Sequence, residues 1–186
     1  PIIVHTLDKL RDAGFNEIVI NLAHLGQQII DHLGDGSQFG VKISYSDEGE
    51  QALETAGGIV KALPLLGDQP FLVINGDIAT DFPVATLKNR TIGLAHLVLV
   101  DNPEHHRQGD FGLDEHQIIV DHCINKFTFS GIGIYHPKLF VNLAPGKSKL
   151  GPLLRQAVRS KQVSGEKHDG FWMDIGTPQR LQELDH

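Results

Sequence analysis

Phe71-Leu72-Val73-Ile74-Asn75-Gly76-Asp77 is the stretch on which the fold turns. Four contiguous apolar residues closed by a turn-forming triplet predict a short strand covered on both faces, as the parallel sheets of α/β proteins are. Ligands of open α/β sheets bind beyond the carboxyl ends of strands, so Asp77 would project into such a crevice. The same triplet is also ordinary turn chemistry, with Gly76 supplying a positive φ and Asp77 capping the next segment. Local sequence leaves both readings open.

Upstream, Leu7, Leu10 and Ala13 recur at helical spacing before Gly14, and residues 17–21 (EIVIN) read as a buried strand. Residues 25–33 are again helical in period and stop at Gly34-Asp35-Gly36, and residues 41–45 alternate as a second strand. Gly57-Gly58 is expected to open a third helix running to Leu66. Downstream, strands are expected at 94–100, 118–120, 127–135 and near Phe171, and helices at 137–142 and 149–160. A last helix is expected to start at Pro178, capped by Thr177. Strands alternating with helices predict an α/β sheet with parallel strands, and the strand-rich second half predicts an antiparallel addition near the substrate.

The 186 residues suit one domain, are 40% apolar and 21% charged, and contain no low-complexity tract, which is a globular composition. No apolar run approaches the ~20 residues of a membrane span, and no signal-peptide pattern opens the sequence, so neither a membrane partner nor export is expected. The lone Cys123 excludes an internal disulfide. Together these features lead to a cytoplasmic expectation. A net charge of −7 without a Lys/Arg cluster argues against a nucleic-acid polymer as partner. A phosphorylated ligand would need metal and backbone N–H groups to neutralise it.

Asp174, in Phe171-Trp172-Met173-Asp174-Ile175-Gly176-Thr177-Pro178, ends a second apolar-aromatic segment. If Asp77 and Asp174 converge, they form a hard oxygen site suited to Mg²⁺, which takes one or two carboxylates plus substrate phosphates. Leu53-Glu54-Thr55-Ala56-Gly57-Gly58 is a small-residue run where a ligand could approach backbone N–H groups at a helix start, or simply a loop-to-helix junction. His105-His106 with Asp110, and His116 with Asp121, His122 and Cys123, lack the paired spacing of a structural zinc site. No nucleophile motif is present, so covalent catalysis is not expected.

In order, LETAGGI at 53–59, the strand and NGD at 71–77, FTFSGIGIY at 127–135 and FWMDIGTP at 171–178 resemble the sugar-1-phosphate nucleotidylyltransferase family. HLGDGSQFG at 32–40, HLVLVDNPEHH at 96–106, GDFGL at 109–113 and PLLRQAV at 152–158 are most similar to its N-acetylmuramate-1-phosphate uridylyltransferases of bacterial cell-wall recycling. The resemblance implies a single catalytic domain over 1–186, built as a Rossmann-like, mostly parallel mixed sheet with helices on both faces. It implies nucleotidyl transfer from a nucleoside triphosphate, UTP, to a sugar 1-phosphate. Asp77 and Asp174 would hold Mg²⁺ and be the catalytic pair. Thr55, Ala56, Gly57 and Asn75 would bind the nucleotide, Gly112, Ser130 and Gly131 would face the sugar phosphate, and Glu166 would contact a sugar hydroxyl. No oligomeric state is implied.

Family members open with a strand and a Gly-rich, Arg- and Lys-bearing loop around the triphosphate, and the resemblance sets Pro1 just after that segment, so the loop is expected to be missing from these residues. The Glu-Lys-Pro sugar-phosphate motif of many hexose relatives is absent between Asp114 and Ser130, which leaves the role of Lys126 open. Mannose-1-phosphate guanylyltransferase is the rival within the class. A non-catalytic nucleotide-sugar sensor is the rival outside it.

Overall fold

Residues 2–49, 51–176 and 180 are described by the structure, a computed structural model. Helix α1 (Ile2–Asp12) buries Leu7 and Leu10 and is closed by Gly14, whose φ of 82° lets Phe15 N–H reach the Leu10 carbonyl at 2.8 Å. Strand β1 (Glu17–Leu22), helix α2 (Gly26–Leu33) and strand β2 (Lys42–Asp47) follow, and β1 and β2 pair in parallel. Leu7, Leu33, Val41 and Ile43 fill the space between this pair and helices α1 and α2.

Helix α3 (Glu54–Leu66) leads into β3 (Phe71–Ile74), then β4 (Ile78–Thr80), β5 (Ala95–Val100), the short hairpin β6 (Gly112–Leu113) and β7 (Ile119–Val120), and β8 (Thr128–Tyr135). Helix α4 (Leu150–Arg159), β9 (Val163–Lys167) and β10 (Trp172–Asp174) complete the described order. The main sheet runs β3-β8-β5-β9, with β8 antiparallel to β3 and β5, and β9 parallel to β5. Strands β3, β5 and β9 therefore point the same way, the mixed α/β arrangement read from the sequence.

Residue alternation assigns the faces. Phe71 and Val73 join Leu97, Leu99 and Tyr135 under α3 and α4, whereas Leu72 and Ile74 face Val98, Ile132 and Ile134. That second face is covered by β4, the 3₁₀ turn Val84–Leu87 and Ala13 at the end of α1, so its cover is only partly helical. Two expected helices need correction. Residues 137–142 form a single 3₁₀ turn, Pro137–Phe140, started by Lys138 N–H donating to the His136 ring. The third helix starts at Glu54, so Gly57 and Gly58 lie inside it. The expected Thr177–Pro178 helix start falls outside the described residues.

Candidate active site

The strand read from 71–74 ends where expected, and its continuation is fixed by two ladders. Asn75 N–H donates to the Gly131 carbonyl at 3.0 Å, extending the β3–β8 pairing by one residue. Asp77 then enters the antiparallel β4–β10 pair, in which Asp174 stands opposite Ile78 and Ile175 N–H donates to the Asp77 carbonyl at 2.7 Å. A Cβ built on Gly176 would lie 3.1 Å from Asp174 Oδ1 and 3.3 Å from Asp77 Oδ2. The two carboxylates thus come together beside Gly176.

These carboxylates line a cleft of about 260 Å³ at the carboxyl end of β3 and the start of β8. Asp174 Oδ1 also accepts from Gly176 N–H at 2.8 Å, and its Oδ2 lies 2.8 Å from Arg180 Nη1 and 3.7 Å from His105 Nε2. Trp172 lines the same cleft, its indole N–H donating to the Ser130 carbonyl at 2.9 Å. That bond ties the β4–β10 ladder to the main sheet.

Of the residues named from sequence, Asn75, Asp77, Ser130, Gly131 and Asp174 come together here. Gly131 has φ 81° in an irregular stretch of β8, where Gly133 pairs with Leu97 but Phe129 pairs with Leu99. A side chain at Gly131 would meet Asn75 Nδ2 at 2.8 Å, so the glycine serves both the bulge and the close approach of Asn75. The Ser130 hydroxyl is engaged within the sheet, donating to the Val98 carbonyl at 2.8 Å and accepting from Ile132 N–H, so Ser130 meets the cleft without a free hydroxyl.

The other named residues lie elsewhere. Ala56 and Gly57 are buried, and their N–H groups both donate to the Ser148 carbonyl at 3.1 Å. The space a Gly57 side chain would need is filled by the Gly146 carbonyl. Thr55 beside them is exposed. Gly112 sits in the β6–β7 hairpin against Cys123. Glu166 on β9 shares Oε1 between Arg90 Nη2 at 2.9 Å and the buried His96 Nε2 at 3.1 Å. His96 also meets the Ser164 hydroxyl through Nδ1 at 2.8 Å, and burial, the largest influence, holds its pKa below the usual histidine value against the opposing pull of Glu166.

The fold also brings in a pair that the sequence weighed only as metal ligands. His105 and His106, on the 3₁₀ turn Glu104–His106, both line the cleft. Asp110 Oδ2 accepts from Phe129 N–H at 2.8 Å, and Asp110 Oδ1 accepts from His106 Nε2 at 3.1 Å. The i,i+4 spacing of His106 and Asp110 was the one local signal available.

Comparison with known proteins gives a consistent result. A family described as nucleotidyl transferase matches residues 1–186. The sequence is 50% identical over 98% of its length to the N-acetylmuramate alpha-1-phosphate uridylyltransferase of Neisseria meningitidis serogroup B, covering 83% of that protein. It is 30% identical to the protein of the same name from Caulobacter vibrioides, over 96% of this chain and 80% of that one. Against the mannose-1-phosphate guanylyltransferase catalytic subunit beta of Dictyostelium discoideum it is also 30% identical, over 95% of this chain, but spans about half of that protein, 52%. Among solved structures, a Bacillus anthracis protein described as a glucose-1-phosphate thymidylyltransferase superposes with a TM-score of 0.84 at 22% identity, over 100% of this chain and 81% of that one, and supports the fold.

Proposed function

The chain belongs to the nucleotidyl transferase family, and on that premise we propose that it transfers a uridylyl group from UTP to N-acetylmuramate 1-phosphate. The observation that carries this reading is the convergence of the Asp77 and Asp174 carboxylates around Gly176 at the end of β3. The base and sugar rest on the 50% identity to a uridylyltransferase that this chain covers for 83% of its length. Guanylyl transfer to mannose 1-phosphate is less supported, because that likeness is weaker and spans half of the relative. A nucleotide-sugar sensor would have no use for the aspartate pair.

In the proposed reaction a phosphate oxygen of the sugar 1-phosphate attacks the α-phosphorus of UTP. The bond from that phosphorus to the bridging oxygen of the β-phosphate breaks, and pyrophosphate leaves with the electron pair. No protein nucleophile is required, so catalysis consists of positioning and charge neutralisation.

Asp77 and Asp174 fit a Mg²⁺ ion. They present hard oxygens close together beside Gly176, and among the described residues no third ligating side chain joins them, as expected where substrate oxygens complete the shell. When bound, Mg²⁺ would neutralise charge on the transferring phosphoryl group. Arg180 balances Asp174 and stands close enough to follow phosphate charge at the same place. Asn75, held across Gly131, offers its side-chain amide to the nucleotide. Gly131 and the Ser130 backbone form the floor beneath the sugar phosphate. Thr55 remains the proposed contact to base and ribose, whereas Ala56 and Gly57 would act through surfaces other than their engaged N–H groups. Gly112 and Glu166 would contribute to the sugar side only through a rearrangement of their present partners. Among the described residues no helix is long and apolar enough to cross a membrane. The cytoplasm, where nucleoside triphosphates are made, is the compartment the reaction requires.

The experiment is pyrophosphate release by the full-length enzyme with UTP or GTP and with N-acetylmuramate 1-phosphate or mannose 1-phosphate. A UTP preference above about tenfold in kcat/KM, or about 1.4 kcal/mol, is expected. An equal or inverted preference overturns the uridylyl assignment, and nucleotide-sugar binding without any pyrophosphate release would establish the sensor.

A further inference from the structure

We infer that His106, held by Asp110, is the residue that reads the carboxylate of the acceptor sugar. The inference rests on the uridylyl-transfer reading above. N-acetylmuramate differs from N-acetylglucosamine by a lactyl ether that carries a carboxylate, so its 1-phosphate brings two anionic groups into one cleft. That cleft already contains Asp77 and Asp174. A second substrate anion in such surroundings requires a positively charged donor, because an unpaired carboxylate removed from water is strongly disfavoured.

Among the described residues lining the cleft, His105 and His106 have basic side chains, while Arg180, 2.8 Å from Asp174, stands on the side where the phosphates are proposed to bind. The two histidine rings diverge from one short turn. His105 Nε2 faces Asp174 at 3.7 Å, on the side where the phosphates are proposed to bind. His106 faces the start of β8, where Phe129 N–H fixes Asp110 and Asp110 fixes His106 Nε2. A carboxylate accepts hydrogen bonds only, so Nε2 carries a proton and donates to Asp110. In the imidazolium form Nδ1 carries the second proton and donates to the substrate carboxylate, leaving the ring between two anions. The anchoring matters because a histidine on an exposed turn would otherwise lose rotamer freedom on binding, whereas a ring held through Asp110 is already oriented.

The arrangement orders the acceptor along the cleft, with its phosphate toward Asp77 and Asp174 and its lactyl group toward His106. An acceptor without the lactyl group gains nothing from His106. Selectivity between two sugars that are otherwise alike would then come from one ring and its support.

The test compares N-acetylmuramate 1-phosphate with N-acetylglucosamine 1-phosphate as acceptors, using full-length wild type, His106→Gln and Asp110→Asn. Gln keeps an N–H donor but cannot become cationic. Asn at 110 can still accept from Phe129 N–H but presents no anion to His106. In His106→Gln the ratio of the two kcat/KM values is expected to move at least about tenfold against the carboxylate-bearing acceptor, mostly through its KM. Asp110→Asn should move the ratio the same way by a smaller factor. Thermal unfolding of each variant checks the fold, and if His106→Gln is unfolded the Asp110→Asn ratio decides. An unmoved ratio, or equal losses on both acceptors, overturns the inference while the uridylyl reading stands. A wild-type enzyme that ignores N-acetylmuramate 1-phosphate but uses another sugar phosphate overturns the reading and the inference together.

Discussion

Asp77 and Asp174 are held by one antiparallel ladder: the Asp77 carbonyl accepts Ile175 N–H at 2.7 Å, and both carboxylates reach within 3.3 Å of where a Gly176 side chain would begin. The ladder therefore fixes the two backbone positions from which these side chains reach one place. The closeness of Gly176 gives the first prediction. Gly176→Ala places a methyl group between the carboxylates and should lower kcat by at least about tenfold, or about 1.4 kcal/mol. Thermal unfolding should change little, since Gly176 is exposed. Full activity with the extra methyl would mean that the reaction does not depend on the close approach of Gly176 to the two carboxylates.

Gly131 tests the coupling of sheet and site. Its φ of 81° and the 2.8 Å approach to Asn75 penalise any side chain, so Gly131→Ala should destabilise the fold by about 1–3 kcal/mol in denaturant unfolding. It should also raise the KM for nucleotide, because Asn75 is displaced. A change in stability without a change in KM would detach Asn75 from nucleotide binding.

The Tyr135 hydroxyl is buried among Phe71 and Phe140 and has no hydrogen-bond partner among the described groups, and burial pushes its pKa far above the usual tyrosine value. Removing an unsatisfied polar atom relieves its desolvation cost. Tyr135→Phe should therefore leave stability unchanged or raise it by about 1 kcal/mol in urea unfolding. A loss of more than that would reveal a partner for the hydroxyl.

His96 predicts a pH dependence of stability. Its folded-state pKa is depressed, chiefly by burial, so the unfolded chain takes up a proton on acidification before the folded one does. The stability this neutral histidine confers is present above about pH 6.5 and is lost as pH falls from there toward the folded value, by at most about 1.4 kcal/mol per pH unit. Unfolding curves at pH 7.5, 6.5 and 5.5 should show that slope, and His96→Gln should reduce it. An unchanged slope in the variant would assign the acid sensitivity to other groups.

What the sequence disclosed and what it hid follow from one distinction. Phe71–Ile74 announced itself because four apolar residues before Asn-Gly-Asp fit a strand with both faces covered, and those faces are indeed divided between two core clusters. The glycines of 57–58 were misplaced because a helix start and a helix interior packed against a backbone look alike locally. Only the approach of Gly146 and Glu48 distinguishes them. Ser130 looked available because its hydrogen bond to Val98 lies in a ladder 32 residues away in sequence. Glu166 was drawn into the Arg90–His96 group by the parallel β5–β9 pairing, a register no local pattern specifies. His106 was visible only through its i,i+4 spacing to Asp110, since its place in the cleft is set by Asp110 and the backbone of Phe129.

The central claim is that the Asp77–Asp174 pair is where the nucleotidyl group is transferred, and pyrophosphate release by full-length Asp77→Asn and Asp174→Asn enzymes tests it most directly. Each substitution should lower kcat by at least about a hundredfold, or about 2.7 kcal/mol, while the thermal midpoint stays near that of the wild type. Normal turnover by either well-folded variant would contradict the account.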